Sequence, residues 1–314
     1  MDKNTITGIV LIGLLLFGFT FYQNKQYQKQ AAYQAQLDSI ALVKQIQADS
    51  IAAVEAAQRM SSDTASVAQV AAAPVSIYKD SLLEAAHSAE AQIVTLANDK
   101  FEVAFTTKGA QPYSVKINEY SSYGGGELFI FKPEMSRYDI QVYAGETINT
   151  ADFNFVVAEK TDTSLAMRLP FAGGGYIEQR YSIAEGSYSV KNYLSFVGME
   201  NVIPKNVFSF DVDYFVTMPR MEKGYKSEVQ YSKLDYYFNG EKKPEAIAKG
   251  RSAQKRVDAR VSWFAFQQQF FSAIMRSPQE FASADFALNY FPEDDASHNL
   301  MTGEVRLRMD FQPG

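Results

Sequence analysis

The chain opens with an apolar run that differs from everything after it. Eighteen consecutive positions, Thr5 to Tyr22, carry no charge. As an α-helix rising about 1.5 Å per residue, the run would measure roughly 27 Å, close to the hydrocarbon thickness of about 30 Å. The pattern predicts one transmembrane anchor over residues 1–22, in contact with membrane lipid. Its apolar side chains are Ile6, Ile9, Val10, Leu11, Ile12, Leu14, Leu15, Leu16, Phe17, Phe19 and Phe21.

The length and the end of this run favour a retained anchor over a cleaved signal peptide. A signal peptide has an apolar region of about 7–15 residues, followed by small residues at the cleavage site. Here the run is longer, and the sequence FYQN at its end offers no such site. Lys3 and the amino terminus precede the run, whereas Lys25 and Lys29 follow it, so the flanking charges leave its orientation open.

Residues 23–77 form a stretch dominated by Ala, Gln and Ser, with thinly spread charges. Apolar side chains recur at three-residue spacing over residues 37–46, but Lys44 and Gln47 interrupt a heptad seam. A semi-helical spacer or stalk is therefore a simpler interpretation than a coiled-coil dimer. Residues 61–74 have the composition of a disordered linker.

From about Thr95 the apolar residues alternate with polar ones, which is typical of half-buried strands. Glycine-containing turns at 124–126, 173–175 and 185–186 separate the alternating stretches. These stretches are Phe101-Val103-Phe105, Tyr113-Val115-Ile117, Phe129-Phe131, Ile140-Val142, Phe153-Phe155, Tyr188-Val190 and Phe208-Phe210-Val212. Because long helical periods are missing between them, residues 78–314 are predicted to form a mainly β domain, a sandwich or barrel rather than an α/β fold. One short helix is expected at its start, within residues 80–91.

The glycine triplets at 124–126 and 173–175 raise the question of a phosphate-binding loop. Such a loop needs Gly-Lys-Ser/Thr leading into a helix. Here Glu127 and Tyr176 follow the triplets instead, each at the start of an apolar stretch. Both triplets are therefore interpreted as hairpin turns.

Composition narrows the chemistry that the chain can perform. Its net charge is −6, from 30 basic and 36 acidic residues without a basic block, so no nucleic-acid partner is expected. The lack of Cys excludes disulfides and thiolate metal sites. His87 and His298 are the only histidines, so a His-rich metal site is not expected. No residue pattern singles out a catalytic group.

Three stretches resemble the YidC membrane-protein insertase family, in its form with a large periplasmic domain. The opening MDKNTITGIVLIGLLLFGFTFYQ is similar to that family's first transmembrane helix. Residues 101–120, FEVAFTTKGAQPYSVKINEY, resemble the first hairpin of its domain. Residues 261–275, VSWFAFQQQFFSAIM, are the most specific match, because the family carries a Trp followed by a Gln-rich aromatic run there. The similarity covers nearly the whole chain, apart from the spacer and loops.

The resemblance implies a twisted β-supersandwich, similar to sugar-binding and aldose-epimerase folds, without nucleotide or cofactor. It also implies a bacterial inner-membrane protein with a cytoplasmic N-terminus and a periplasmic domain. The implied task is to insert and fold nascent membrane proteins, alone or with the Sec translocon and its SecD and SecF accessory subunits. The family's core of five further transmembrane helices has no counterpart in this sequence. We therefore expect a docking or accessory portion that does not insert substrates by itself.

The aromatic run at residues 261–275 supplies the candidate contact site. Core packing is the simpler interpretation of so many aromatic side chains, and contact with a partner is the functional one. The candidate residues of this family-like motif are Trp263, Phe264, Gln268, Phe270 and Phe271.

Other functions fit parts of the sequence. A carbohydrate-binding or aldose-epimerase-like protein would share the predicted sandwich. Epimerases use paired histidines with a carboxylate, however, and His87 is expected in or beside the spacer, which leaves only His298 in the domain. A periplasmic adaptor would need an outgoing and a returning helix, whereas the sequence has one helical stretch. Binding of an extended chain in a groove or at a sheet edge remains open.

Overall fold

The computed structural model describes residues 78–311. The predicted anchor at 1–22 and the spacer at 23–77 lie outside the described residues. Within residues 78–311, the helices lack the length and hydrophobicity that spanning a bilayer requires. The helices are α1 (Ser81–Ser88) and α2 (Tyr225–Tyr231), with a 3-10 turn at Thr150–Asp152. The strands are β1 (Ile93–Ala97), β2 (Phe101–Thr106), β3 (Gln111–Ser121), β4 (Glu127–Phe131), β5 (Ser136–Tyr143), β6 (Thr147–Asn149), β7 (Val156–Lys160), β8 (Ser164–Pro170), β9 (Tyr176–Ile183), β10 (Val190–Val197), β11 (Ser209–Pro219), β12 (Lys233–Tyr237), β13 (Glu245–Lys249), β14 (Ala253–Val257), β15 (Val261–Gln267), β16 (Ser272–Phe281), β17 (Ser283–Tyr290) and β18 (Asn299–Asp310).

These strands form four antiparallel sheets. Their orders are β1-β2-β3-β4, β10-β9-β8-β7, β14-β17-β18-β11-β5-β6 and β13-β12-β15-β16. Most strands pair with a neighbour in sequence, as hairpin connections require. The long strand β11 instead lies between β5 and β18 and joins distant parts of the chain. The prediction of a mainly β, sandwich-like domain is confirmed.

Alternating burial explains why these segments are strands. Phe101, Val103 and Phe105 of β2 are all buried, and the residues between them are half-buried. Successive side chains of a strand point to opposite faces, so this pattern fills one face with apolar groups. The glycine triplets at 124–126 and 173–175 connect β3 to β4 and β8 to β9, so both are hairpin turns as predicted.

One predicted strand is wrong. Phe153 and Phe155 are both buried, but they follow the 3-10 turn and lie outside any strand. Asn154, between them, makes a single isolated bridge to Lys108. Both rings fill the core from an irregular segment, because burial at every second residue does not require a ladder of hydrogen bonds.

Three other stretches are shifted at their ends. Tyr188 and Phe208 precede β10 and β11, and their side chains are exposed by 49% and 67%. In β4 the alternating buried residues are Leu128 and Ile130, whereas Phe129 is only half-buried. A prediction based on aromatic residues alone therefore placed these strand positions one or two residues away from the buried ones.

The predicted short helix is α1, and it packs on the domain. Asp80 caps it, accepting hydrogen bonds at Oδ1 from the N–H groups of Leu82 and Leu83 at 2.8 and 3.3 Å. Leu83 is buried on the core side. His87, expected in or beside the spacer, lies instead in α1 with its ring 6.2 Å from that of Phe153. The expectation for His87 is therefore wrong, because its helix belongs to the β domain.

The largest sheet has one charged face. Asp213 of β11 accepts two hydrogen bonds from Arg306 of β18, at 2.6 and 2.7 Å. Asp211 and Arg308 form a second such pair, at 3.0 and 3.2 Å. Val212, between the two aspartates, is buried on the opposite face. One face of this sheet therefore meets water, and the other meets the core.

Candidate functional site

The family-like motif lies in the four-stranded sheet β13-β12-β15-β16. Because side chains alternate along a strand, residues 263 and 264 point to opposite faces. Phe264 and Phe266 are buried, and their ring centroids lie 5.8 Å apart. Trp263 is half-buried on the outer face. The motif is therefore divided into a core-facing set and an outward-facing set.

An aromatic pair and an arginine line up across three strands on the outer face. Tyr237 of β12 lies opposite Trp263 of β15, and Trp263 lies opposite Arg276 of β16. The rings of Tyr237 and Trp263 stack with centroids 5.7 Å apart and 15° between their planes. Such a pair contributes about 0.5–1.5 kcal/mol beyond the burial of its area. The stack holds the Trp263 ring against Tyr237 on the outer face.

This row borders a shallow groove of about 610 Å³. Ile274 of β16 lines it and is 64% exposed, which is unusual for a large aliphatic side chain. Arg276, also in the lining, is exposed and forms no ion pair with a carboxylate in the described part of the chain. Across the groove, Ser262 Oγ donates to Glu280 Oε1 at 3.0 Å. An aromatic wall, an exposed apolar side chain, a cation and a carboxylate thus line one groove.

The groove lies beside a free sheet edge. β16 is the last strand of its sheet, and no further strand within residues 78–311 pairs with its outer side. An extended peptide can add to such an edge through main-chain hydrogen bonds. The later part of β16 is unsuited to this, because Pro278 lacks an N–H and Glu280 has a φ of +60°. The usable edge is therefore residues 272–276.

The turn between β15 and β16 holds the other motif residues. Gln268 is buried and donates from Nε2 to the carbonyl oxygen of Pro219 at 2.9 Å. Its own N–H donates to the carbonyl oxygen of Phe271 at 2.8 Å, which closes the turn. Phe271 packs edge-on against Tyr120, with centroids 5.5 Å apart, whereas Phe270 is 69% exposed. Gln268 therefore stabilises the turn that displays Phe270.

The structure thus separates the five residues singled out from the sequence. Trp263 lines the groove, Phe264 and Gln268 are interior, and the two remaining phenylalanines lie on the turn. Sequence reasoning missed Tyr237, Ile274 and Arg276. The alternation of residues 272, 274 and 276 could have indicated the outward face of β16, but the pairing of Tyr237 with Trp263 depends on a register that the sequence does not display.

Of the described residues, Glu280 is the one carboxylate that lines this groove, and no histidine lines it. No group of three or more His, Asp or Glu within residues 78–311 is placed to hold a metal ion. His87 belongs to α1, and its Nδ1 lies 3.1 Å from the carbonyl oxygen of Asp152. His298 is exposed in the turn before β18, with a φ of +54°. Neither histidine lines the groove.

Two buried carboxyl groups lie elsewhere. Burial raises the pKa of both Glu228 in α2 and Asp139 in β5 above its usual value. Glu228 Oε1 accepts from the N–H of Met221 at 2.8 Å, and Asp139 Oδ1 accepts from the N–H of Ala151 at 2.9 Å. A perturbed pKa marks either a functional site or a structural network. Because both groups bind main-chain N–H groups, they hold loops in place.

Comparison with known proteins gives sequence relatives over the whole chain. The chain is 27% identical over 314 residues to the membrane protein insertase YidC of Phocaeicola vulgatus, covering 100% of this chain and 48% of that protein. It is 29% identical over 282 residues to YidC of Bacteroides fragilis, covering 90% and 44%. YidC of Porphyromonas gingivalis is 27% identical over 322 residues, covering 100% and 50%. The chain therefore spans about half the length of the curated relatives it matches. No family model matches it.

These relatives confirm the resemblance that the motifs predicted. Among solved structures, a galactose mutarotase-like protein from Lactobacillus casei is similar with a TM-score of 0.40 and 11% identity, over 71% of this chain and 96% of that one. A putative aldose 1-epimerase from Escherichia coli K12 has a TM-score of 0.36 and 10% identity, over 70% and 88%. Likenesses at this level support no conclusion about chemistry.

Proposed function

We propose that this chain is the N-terminal part of a membrane-protein insertase, which helps to insert and fold inner-membrane proteins alone or with the Sec translocon. The observation that carries the proposal is the collinear similarity to YidC insertases over all 314 residues. Because the chain spans about half of those proteins, we assign insertion itself to the whole protein. The described β domain takes a docking or accessory role within it.

The proposed location is the bacterial inner membrane, with the N-terminus in the cytoplasm and the domain in the periplasm. The uncharged run at residues 5–22 supports the anchor, since its length matches a bilayer. The lack of Cys is compatible with an oxidising compartment. Membrane lipid and nascent membrane proteins would then be the immediate surroundings of the chain.

The outer face of the β12-β15-β16 sheet supports the docking role. Its groove offers the Trp263–Tyr237 stack, the exposed Ile274 and the exposed Arg276, beside a strand edge that no other described strand pairs with. Extended polypeptide segments bind such sites through main-chain hydrogen bonds and side-chain pockets. Segments of the Sec translocon, or of SecD and SecF, are the proposed occupants.

Site-specific photocrosslinking in a Bacteroidetes host tests this assignment. A photoreactive phenylalanine analogue is placed at Phe270 or Ile274, in separate chains. Tyr143 is the matched control, since it is 49% exposed but lies in the six-stranded sheet. We expect adducts with Sec subunits from positions 270 and 274 and none from position 143.

Two outcomes would contradict the proposal. Equal adducts from all three positions would show that the contacts are random collisions. The lack of any Sec adduct from positions 270 and 274 would remove the Sec subunits as partners of this face. Adducts with nascent membrane proteins alone would reassign the groove from docking to client holding.

A further inference from the structure

Residues 220–256 carry a charge opposite in sign to that of the whole chain. They contain ten Lys and Arg against five Asp and Glu, whereas the chain has 30 against 36. One of the five acids, Glu228, is fully buried, and burial raises its pKa. The exposed surface of this region is therefore strongly basic in an otherwise acidic protein.

The structure gathers part of this charge around α2. Lys226 and Lys249 line one open groove of about 520 Å³, which also contains Tyr225. The chain just after β13 approaches α2 closely. Gly250 has a φ of +64° there, and a Cβ at this position would lie 3.2 Å from the Val229 carbonyl oxygen. Strand and helix thus present their lysines on one side of the molecule.

Tyrosines are interleaved with these cations. Lys249 Nζ lies 5.5 Å from the ring centroid of Tyr231, and Lys223 Nζ lies 5.5 Å from that of Tyr123. Tyr231 is 46% exposed and Tyr123 is 61% exposed. A hydrogen bond from the N–H of Tyr123 to the carbonyl oxygen of Met221, at 3.1 Å, attaches its turn to the loop before α2. We call the set Lys223, Lys226, Lys249, Tyr123, Tyr225 and Tyr231 the basic-aromatic face.

The lysines of this face meet no neutralising carboxylate in the described part of the chain. Lys223, Lys226 and Lys249 form no ion pair with a carboxylate among residues 78–311. The face ends at Arg220, whose Nη1 donates to the carbonyl oxygen of Glu293 at 3.3 Å, at the start of an acidic loop. Its charge is therefore available to a ligand of opposite sign.

We infer that the basic-aromatic face binds the surface of a bilayer that contains anionic phospholipid. Each lysine near such a surface strengthens binding about fivefold, and the effect is screened by salt. Lysine stems and tyrosine rings also suit the interface, where an apolar body meets a polar layer. An acidic peptide could neutralise the lysines, but the exposed tyrosines between them favour a headgroup layer. The predicted anchor at residues 1–22 would keep a bilayer at high effective concentration.

Fluorescence of the full chain, reconstituted in vesicles, tests the inference. Because the chain has no Cys, Gln230→Cys gives one labelling site in the groove for an environment-sensitive dye. Asp162→Cys, in the exposed turn between β7 and β8 of another sheet, is the control position. The vesicles contain phosphatidylcholine alone or with phosphatidylglycerol. We expect a blue shift and shielding from aqueous quencher at position 230 only with phosphatidylglycerol, reversed by salt, and no change at position 162.

Charge variants separate this face from the overall charge of the chain. The triple change Lys223→Gln, Lys226→Gln and Lys249→Gln should abolish the fluorescence shift. Each charge removed should weaken binding to the anionic vesicles roughly fivefold. Lys132→Gln, Lys160→Gln and Lys191→Gln remove the same charge from exposed positions elsewhere and should leave the shift intact.

Three results would overturn the inference. The first is equal shielding of the dye at position 230 in vesicles with and without phosphatidylglycerol. The second is an equal loss of the fluorescence shift in both triple variants. The third is shielding of the dye by added polyglutamate but not by phosphatidylglycerol. The last would assign the face to a protein partner. The assay measures neither insertion nor Sec contacts, so its failure would leave the proposed insertase role standing.

Discussion

At the scale of single residues, a close contact between a ring and a glycine joins two sheets. Phe266 of β15 is 1% exposed, and its ring lies against the main chain of Gly303 in β18. A Cβ at position 303 would lie 2.0 Å from the Phe266 ring, which no real contact permits. Gly303 is therefore required by space and not by an unusual φ, because interiors are packed too densely to absorb a methyl group.

The change Gly303→Ala should lower the free energy of unfolding by about 1–3 kcal/mol, the usual cost of overpacking. Denaturant unfolding of the full chain in detergent measures it. Gly124→Ala is the matched control, since nothing lies within 4 Å of its Cβ position, and it should change stability by less than about 0.5 kcal/mol. Adding Phe266→Leu to Gly303→Ala should restore part of the loss, and equal stability of the two alanine variants would refute the packing argument.

At the scale of elements, α2 is held by a buried carboxyl group. Glu228 Oε1 accepts from the N–H of Met221, and the Met221 carbonyl oxygen accepts from the N–H of Tyr123. These two hydrogen bonds thus connect α2, the loop before it and the turn between β3 and β4. Burial raises the pKa of Glu228, since the charged form loses its hydration, so the protonated form favours the folded chain.

The pH dependence of stability should reveal this group. Below about pH 4.5, its usual pKa, Glu228 is protonated in both the folded and unfolded chains, so its ionisation does not lower the free energy of unfolding. As pH rises through the higher pKa of the folded state, the unfolded chain has already ionised, so the folded chain loses stability. Glu228→Gln should keep the hydrogen bond to Met221 and avoid this loss. Its advantage over the unsubstituted chain should therefore grow with pH in unfolding titrations.

A second substitution separates charge from hydrogen bonding. Glu228→Ala leaves the Met221 N–H without its acceptor and should cost about 1–3 kcal/mol even at low pH. Parallel pH curves for the unsubstituted chain and Glu228→Gln would show that Glu228 does not contribute to the pH dependence.

The sequence was informative about elements wherever apolar alternation coincided with strand pairing. The alternation of Phe101, Val103 and Phe105 correctly predicted β2, and the two glycine triplets correctly predicted two hairpin turns. Phe153 and Phe155 show the same alternation outside any strand, because their burial comes from contacts of an irregular segment. Register and sheet order arise from long-range pairing, so the groove formed by β12, β15 and β16 was beyond prediction.

At the scale of the whole molecule, the described domain has two separate surfaces that could meet partners. The structure gives a β domain with an open sheet edge and a separate basic-aromatic face. The proposed membrane anchor rests on the apolar run at residues 5–22 and the similarity to YidC. The proposed periplasmic side of the domain can be tested directly.

Alkaline phosphatase fused after Gly314 tests that side, because the enzyme is active only when exported. We expect activity from the full chain and none from residues 23–314, which lack the anchor. Lysines near an anchor favour the cytoplasmic side, and here Lys3 and the amino terminus nearly balance Lys25 and Lys29. Adding Asn24→Lys and Gln26→Lys should therefore lower phosphatase activity by retaining the domain. An inactive full-chain fusion, with a fluorescent protein folding at the same junction, would contradict a periplasmic domain.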